Sequence, residues 1–283
     1  MRFAGIWRMQ WPGMVSEYAV LGPDSAVTTT RAGQIGIGFS GHRGLVREVG
    51  GRTERHDAEP GAVYVTGSDP ITWLEVREPV EALEIYPDRA LVDPGQVRPS
   101  FAVRDGVVFA VAARLRSAHL AGAHLAAAAL TDVEASTLAH LLVRHMLRRY
   151  GTGPQPRRRP AGQLPPGAAD VVAEYARAHL ADEITLDALA ATVNLSPYHF
   201  ARSFRATTGM TPHAFVTEHR LMVARDRLLR GDGSVAAVAL SVGFSNLSHF
   251  RRLFRRRYGL GPADLRQAAS AGRTRAGRCS GSG

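Results

Sequence analysis

Guanidinium groups at matching places in two copies of one pattern are the residues of this chain best equipped for chemistry. His199-Phe200, Arg202, Phe204-Arg205, Gly209 and Pro212 recur 50 positions later as His249-Phe250, Arg252, Phe254-Arg255, Gly259 and Pro262. A planar guanidinium donates two hydrogen bonds to guanine O6 and N7, a contact worth roughly 1–3 kcal/mol of base discrimination. Arg202 and Arg252 hold equivalent places and are therefore the leading candidates for base contact. Tyr198 offers a ring to a thymine methyl or a hydroxyl to a phosphate, and Ser248 and His249 donate or accept beside the second arginine. Ser196, Arg205, Arg251, Arg255 and Arg256 are candidates for phosphate contact, with Arg257 next to them. Such contacts position a protein on the duplex without specifying sequence.

Presenting these groups requires helices of defined polarity. A segment of this length used twice is one supersecondary unit, here a helix-turn-helix. Ser196 suits an N-cap, followed by Pro197 at the first helical position, where a missing N–H costs nothing. Phe200 and Phe204, four apart, point inward together and leave Tyr198, Ala201, Arg202 and Arg205 outside. Gly209 ends this helix, and Thr211-Pro212 open a longer one carrying Phe215, Leu221, Met222, Ala224, Leu228 and Leu229 until Gly231-Asp-Gly233. Ser234 starts the second copy, in which Val238, Ala239 and Val242 match Leu189, Ala190 and Val193. There Leu247, Phe250 and Phe254 face inward, and Ser248, His249, Arg251, Arg252 and Arg255 face out. The joining helix, about 17 residues at 1.5 Å each, spans roughly 25 Å and sets the spacing of the two units.

The charge distribution agrees with a polyanionic partner. The net charge of +10 comes entirely from arginine, because the chain contains no lysine. Residues 1–150 hold 16 arginines and 16 acids, whereas 169–283 hold 16 arginines and 9 acids. The excess thus lies with the repeat, as expected of a basic domain joined to a neutral one. With 45% hydrophobic and 21% charged residues the chain reads as globular, and its longest apolar stretch, around Ala121–Leu130, is too short to span a membrane. The first residues, which include Arg2, Arg8, Gln10 and Pro12, hold no apolar run between a basic start and a small-residue cleavage site, so no secretory signal is expected. The one cysteine, Cys279, permits no internal disulfide. A cytoplasmic protein follows.

Composition divides the chain into 1–150, a linker 151–168 rich in Pro, Gly and Arg, a helical domain 169–267 and a disordered basic tail 268–283. Before the linker, Ile35, Ile37 and Phe39, then Val63 and Val65, then Trp73, Leu74, Val76, Leu83 and Ile85 read as strands of an antiparallel domain. From about Val107 the pattern turns helical, ending near Asp132–Tyr150 with Val133, Leu138, Leu141, Leu142 and Met146 at helical spacing. That face serves either a core or a dimer seam. The fold class is α+β.

The stretch from about 170 to 267 resembles the DNA-binding domain of the AraC/XylS family of transcription regulators. The resemblance rests on Arg220-Leu221, Ala224, Leu228-Leu229, Val238-Ala239, Val242-Gly243-Phe244, Ser248-His249-Phe250, Arg252, Phe254, Gly259 and Pro262. It departs at Leu265, where the family usually has tyrosine, and at Ala201, a small residue at a place often used for base contact. The resemblance implies two helix-turn-helix units joined by a long helix, double-stranded DNA as partner, activation of transcription and RNA polymerase as a further partner. More weakly, the amino-terminal half resembles the family's sensor domains. This implies a cupin-like β-barrel that takes an unidentified small-molecule effector, with homodimer formation through 132–150.

Enzymatic signals compete weakly. Gly36-Ile-Gly-Phe-Ser-Gly41 has dinucleotide-binding spacing with Asp57 beyond it, but no helical face follows. His42 and His56 lack the close pair and carboxylate of a metal-binding barrel, and read as surface or satisfied histidines. Trp7, Trp11, Tyr64 and Trp73 read as core more readily than as a pocket lining. No catalytic residue, cofactor or metal ligand is therefore expected. The alternatives are a metal- or cofactor-using β-barrel enzyme fused to a nucleic-acid-binding domain, and an architectural binder indifferent to sequence.

Overall fold

Alternation of apolar and polar residues, with turns at Gly13 and Gly61, folds the first hundred residues into two antiparallel sheets. The computed structural model describes residues 5–22, 28–49, 51–68, 70–75, 78–121, 130–153 and 162–269. The strands are β1 (Gly5–Trp11), β2 (Met14–Leu21), β3 (Thr28–Thr29), β4 (Ile35–Gly38), β5 (His42–Val49), β6 (Arg52–Ala58), β7 (Val63–Val65), β8 (Thr72–Glu75), β9 (Val80–Pro87) and β10 (Ser100–Val103). One sheet has the order β1-β2-β9-β4-β7-β10 and the other β3-β8-β5-β6. The expected barrel does not close among the described residues, since β1 pairs only with β2 and β10 only with β7. Strands β1 and β2 were not anticipated. In the dinucleotide-like motif, Gly36 lies inside β4 between β7 and β9, and a Cβ there would stand 2.0 Å from the Tyr64 ring. Its glycine thus admits a crossing side chain, and a strand, not a phosphate-binding helix, comes next.

Helix α1 (Gly106–Ala121) is buried on nearly every side, as its unbroken apolar run from Val107 to Ala113 requires. Asp105 starts it by accepting from the Val107 and Val108 N–H groups, both at 3.0 Å. Burial pushes the Asp105 carboxyl up, but His145, the Val108 amide and the Tyr150 hydroxyl outweigh that and hold it at about 2. Helix α2 (Asp132–Arg149) begins with a Thr131/Glu134 capping box. The choice between core and seam is decided for its apolar face: Leu138, Leu141, Leu142 and Met146 are buried within the chain. Val133 does not share that face and is 77% exposed.

The rest is helical: α3 (Ala168–Ala178), α4 (Leu186–Ala191), α5 (Pro197–Thr208), α6 (Pro212–Arg230), α7 (Val235–Ser241), α8 (Leu247–Tyr258) and a last helix, 262–269. Arg157–Arg159, Cys279, the tail beyond 269 and most of Ala121–Leu130 lie outside the described residues. Among the described residues no helix is long and apolar enough to cross a membrane.

The core is not divided where composition divides the chain. One cluster runs from Ile35, Ile37, Leu83 and Ile85 through α1 to Phe200, Phe204 and Phe215. A second holds Leu221, Leu228, Val238, Val242, Phe250 and Phe254. Where the sheets meet α6, Arg116 on α1 and Arg225 on α6 both pair with the buried Glu81 of β9, which also accepts from the Tyr18 hydroxyl at 2.7 Å. Burial pushes the Glu81 carboxyl up, but the two guanidiniums and the hydroxyl overcome it and hold it at about 2. Gly106 approaches α3 so closely that a Cβ would lie 2.5 Å from the Ala169 carbonyl oxygen, and its N–H donates to Asp170 at 2.8 Å.

Candidate nucleic-acid interface

Each of the two candidate reading helices is set by a cap and a pair of phenylalanines. In α5, Ser196 caps by accepting from the His199 N–H, Pro197 opens the first turn and Gly209 closes in the left-handed region at φ +76°. In α8 the cap is Asn246, which accepts from the His249 N–H at 2.9 Å, and Gly259 closes at φ +73°. Asn246 escaped the sequence reading, although Asn three residues before a helical amide is a recognised cap. Phe200 and Phe204 in α5, and Phe250 and Phe254 in α8, are fully buried, with ring centroids 5.3 and 5.4 Å apart.

The opposite faces are open. Tyr198, His199, Arg202 and Arg205 on α5 are exposed, with Ser196 at its start, and so are Ser248, His249, Arg251, Arg252, Arg255 and Arg256 on α8. Ala201 is half-buried. His249 and Arg252, one helical turn apart, lie 3.0 Å from Nδ1 to Nη2. This contact holds the guanidinium along the outer surface. Of the residues named from sequence for base or phosphate contact, all but Arg257 thus lie on an accessible face.

Arg257 is the exception to the basic run. It is buried, donates from Nε to Glu218 at 2.6 Å, and reaches the Ser117 hydroxyl at 2.9 Å and the Ala113 carbonyl at 3.2 Å. Its expected phosphate role is corrected: this guanidinium fastens α8 to α1. The sequence carried the signal, because 257 follows Phe254 by three and Phe250 by seven, which places it on the inward face.

Helix α6 holds the two units in register. Its 19 residues span roughly 28 Å. Arg220 donates to the Asp182 carbonyl at 2.6 Å and the Gly243 carbonyl at 3.1 Å, joining the segment before the first unit to the turn of the second. Arg227 reaches the Ser241 carbonyl at 3.2 Å and its hydroxyl at 2.5 Å. Gly243 has φ +82°, and a Cβ there would lie 2.3 Å from the Leu180 carbonyl oxygen, so this turn admits only glycine. Leu265 packs on the second cluster.

The candidate histidines of the sheet half separate. His56 pairs with Glu54 at 3.1 Å. His42 is neither surface nor satisfied: it is 4% exposed, and its Nδ1 has no hydrogen-bond partner among the described residues. Trp11 is core and donates to Ser16 at 2.7 Å, while Trp7 is half-exposed and stacks on Tyr18. Tyr64 donates to Glu84 at 2.5 Å. Burial raises the Glu84 carboxyl to about 7. The side chain of Trp73 lies outside the described residues.

Residues 189–268 match the model of a helix-turn-helix domain. A regulatory protein, PocR, from Salmonella typhimurium is 39% identical over 93 residues, which cover 33% of this chain and 31% of that protein. The transcriptional activator RhaS of Escherichia coli is 40% identical over 89 residues, 31% of this chain and 32% of that protein. The chain therefore spans about a third of the length of the curated relatives it matches. Among solved structures, a probable AraC family regulator from Rhodopseudomonas palustris is 36% identical, covers 36% of this chain and 97% of its own length, and has a TM-score of 0.34.

Proposed function

We propose that this chain, which its carboxy-terminal domain places in the AraC/XylS family, is a sequence-specific DNA-binding regulator of transcription that acts in the cytoplasm. One observation carries the reading. Two capped helices, each buried on a phenylalanine face, expose arginine and hydroxyl-bearing or imidazole side chains and are tied to one rigid connecting helix. That arrangement enters successive major-groove segments about one helical turn apart on one face of the duplex. Arg202 and Arg252 contact base edges, with Tyr198, Ser248 and His249 beside them. Ser196, Arg205, Arg251, Arg255 and Arg256 hold the phosphates.

The division into 1–150, 151–168 and 169–267 is the working domain scheme, with the first part responding to a small-molecule effector. Two features support communication between the parts: the shared core through α1, and the Arg257 fastening. Activation is the favoured direction, since RhaS, a relative of the DNA-binding part, is named an activator; RNA polymerase and a second copy of the chain are the further partners of that mode. DNase footprinting of the full chain on DNA selected from a random pool tests the core of the reading. Two protected segments about 10 base pairs apart are expected. Uniform, sequence-indifferent protection would overturn it in favour of an architectural binder.

A further inference from the structure

A cleft of about 480 Å³ opens between the sheet half and α6, within the range of small-molecule sites. One wall comes from His42 on β5 and the turn after β6; the other comes from the start of α1, from α3 and from His219 and Met222 on α6. The two histidines set it apart from an ordinary crevice. His219 is 8% exposed and stacked on Phe109 with centroids 3.9 Å apart, yet its Nε2 has no partner among the described residues. His42 accepts the Glu78 N–H at Nε2, at 3.3 Å, so its Nδ1 carries the proton, with the Arg43 backbone beside it but no partner in full hydrogen-bond geometry among the described residues. A buried polar atom left without a partner costs on the order of 1–3 kcal/mol, which a bound group would relieve. One such atom belongs to each side of the cleft.

The electrostatics specify the occupant. Five arginines and five carboxylates line the cleft, so its charges balance. Burial lowers both histidines from their ordinary value, His219 to about 3, so both imidazoles are neutral near pH 7. The charges that reach the two histidines are of both signs, Asp57 and Glu78 at His42 and Arg104 and Arg177 at His219, and the buried Asp105 is already paired with His145 and Arg149, so a charged ligand of either sign would meet attraction and repulsion together. Phe109, Met222 and Leu180 supply an apolar wall.

We infer that this cleft is a binding site for a small uncharged molecule with an apolar face and a hydrogen-bonding group, bridging His42 of the sheet half and His219 of α6. The inference deepens the effector-responsive part of the proposed function and rests on it only for its consequence: an occupant touching both walls holds α6, and with it the DNA-reading units, against the sheets.

Three probes of one shape separate the charge requirement: benzamide, benzoate and benzamidinium, titrated into the full chain without DNA and followed by calorimetry. Benzamide is expected to bind at least about tenfold more tightly than either ion. His219→Phe keeps the stacked ring and removes Nε2, and His42→Phe keeps a planar ring and removes Nδ1. Each should weaken benzamide about tenfold, the equivalent of one buried hydrogen bond, while circular dichroism melts confirm folding. Preference for an ion, no benzamide binding, or full binding in either folded variant would overturn the two-sided site. The DNA footprint of the same proteins is a separate readout, so failure here leaves the DNA-binding reading standing, and loss of the footprint leaves the cleft result standing.

Discussion

The two helix-turn-helix units are near copies in sequence and differ in what they are built into. The first, α4–α5, packs Phe200 and Phe204 into the cluster that also holds Ile35, Ile37 and the length of α1. The second, α7–α8, closes its own core around Phe250 and Phe254 with the distal part of α6, and among the described residues reaches α1 through the Arg257 contacts with Ser117 and Ala113. One reader is welded to the sheet half by apolar burial, and the other is fastened by polar contacts. The sheet half therefore meets the two units differently: through a continuous core for the first, and through a guanidinium contact for the second.

The largest expected effects would break that contrast. Phe204→Ala and Phe254→Ala each remove a fully buried ring and should cost about 3–5 kcal/mol. By native-state hydrogen exchange, Phe204→Ala should raise exchange in both halves, and Phe254→Ala only around 221–258. Equal spread from both variants would show a single cooperative core. Next comes Glu81. Its folded value of about 2 lies below its ordinary 4.5, so its stabilisation is complete above the ordinary value and disappears as pH falls from about 4.5 to about 2. The difference corresponds to about 3 kcal/mol, and Glu81→Gln should flatten the acid limb of a urea-denaturation series in that window. A limb as steep as that of the parent chain would contradict the network. Arg257→Ala should cost about 2–3 kcal/mol through lost charged hydrogen bonds and speed exchange in α8 but not in α5. The smallest effect concerns phosphates: Arg256→Ala should lower the salt slope of DNA affinity by about one and leave base preferences unchanged.

The helical half was legible because local rules agree there: caps, glycine stops and phenylalanines four apart all point to the same boundaries. Strands β4, β7 and β9 were legible from their alternation. Strand β1 was not, because most of it lies exposed, with Trp7 41% open, so burial imposes little pattern on it; in β2 the inward position between Met14 and Tyr18 is the polar Ser16, which breaks the apolar alternation. Closure of the barrel was overcalled, since it depends on which distant strands meet, and alternation does not encode that. The apolar period of α2 carried no label for its partner and proved to be core. The exposure of the candidate contact residues was legible because solvent-facing positions follow from the helical angle, and the same angle turns Arg257 inward, which the composition of the basic run does not show. The cleft escaped because His42 and His219 lie 177 positions apart and acquire meaning only across the docked halves.

The central claim is that Arg202 and Arg252 read different bases from two units on one side of the duplex. It is tested most directly by selecting binding sites from random DNA with the parent chain, Arg202→Ala and Arg252→Ala. Each substitution is expected to erase preference in its own segment, the two segments lying about 10 base pairs apart, and to leave the other intact. Loss of preference across the whole site in both variants, or unchanged preference in both, would contradict it.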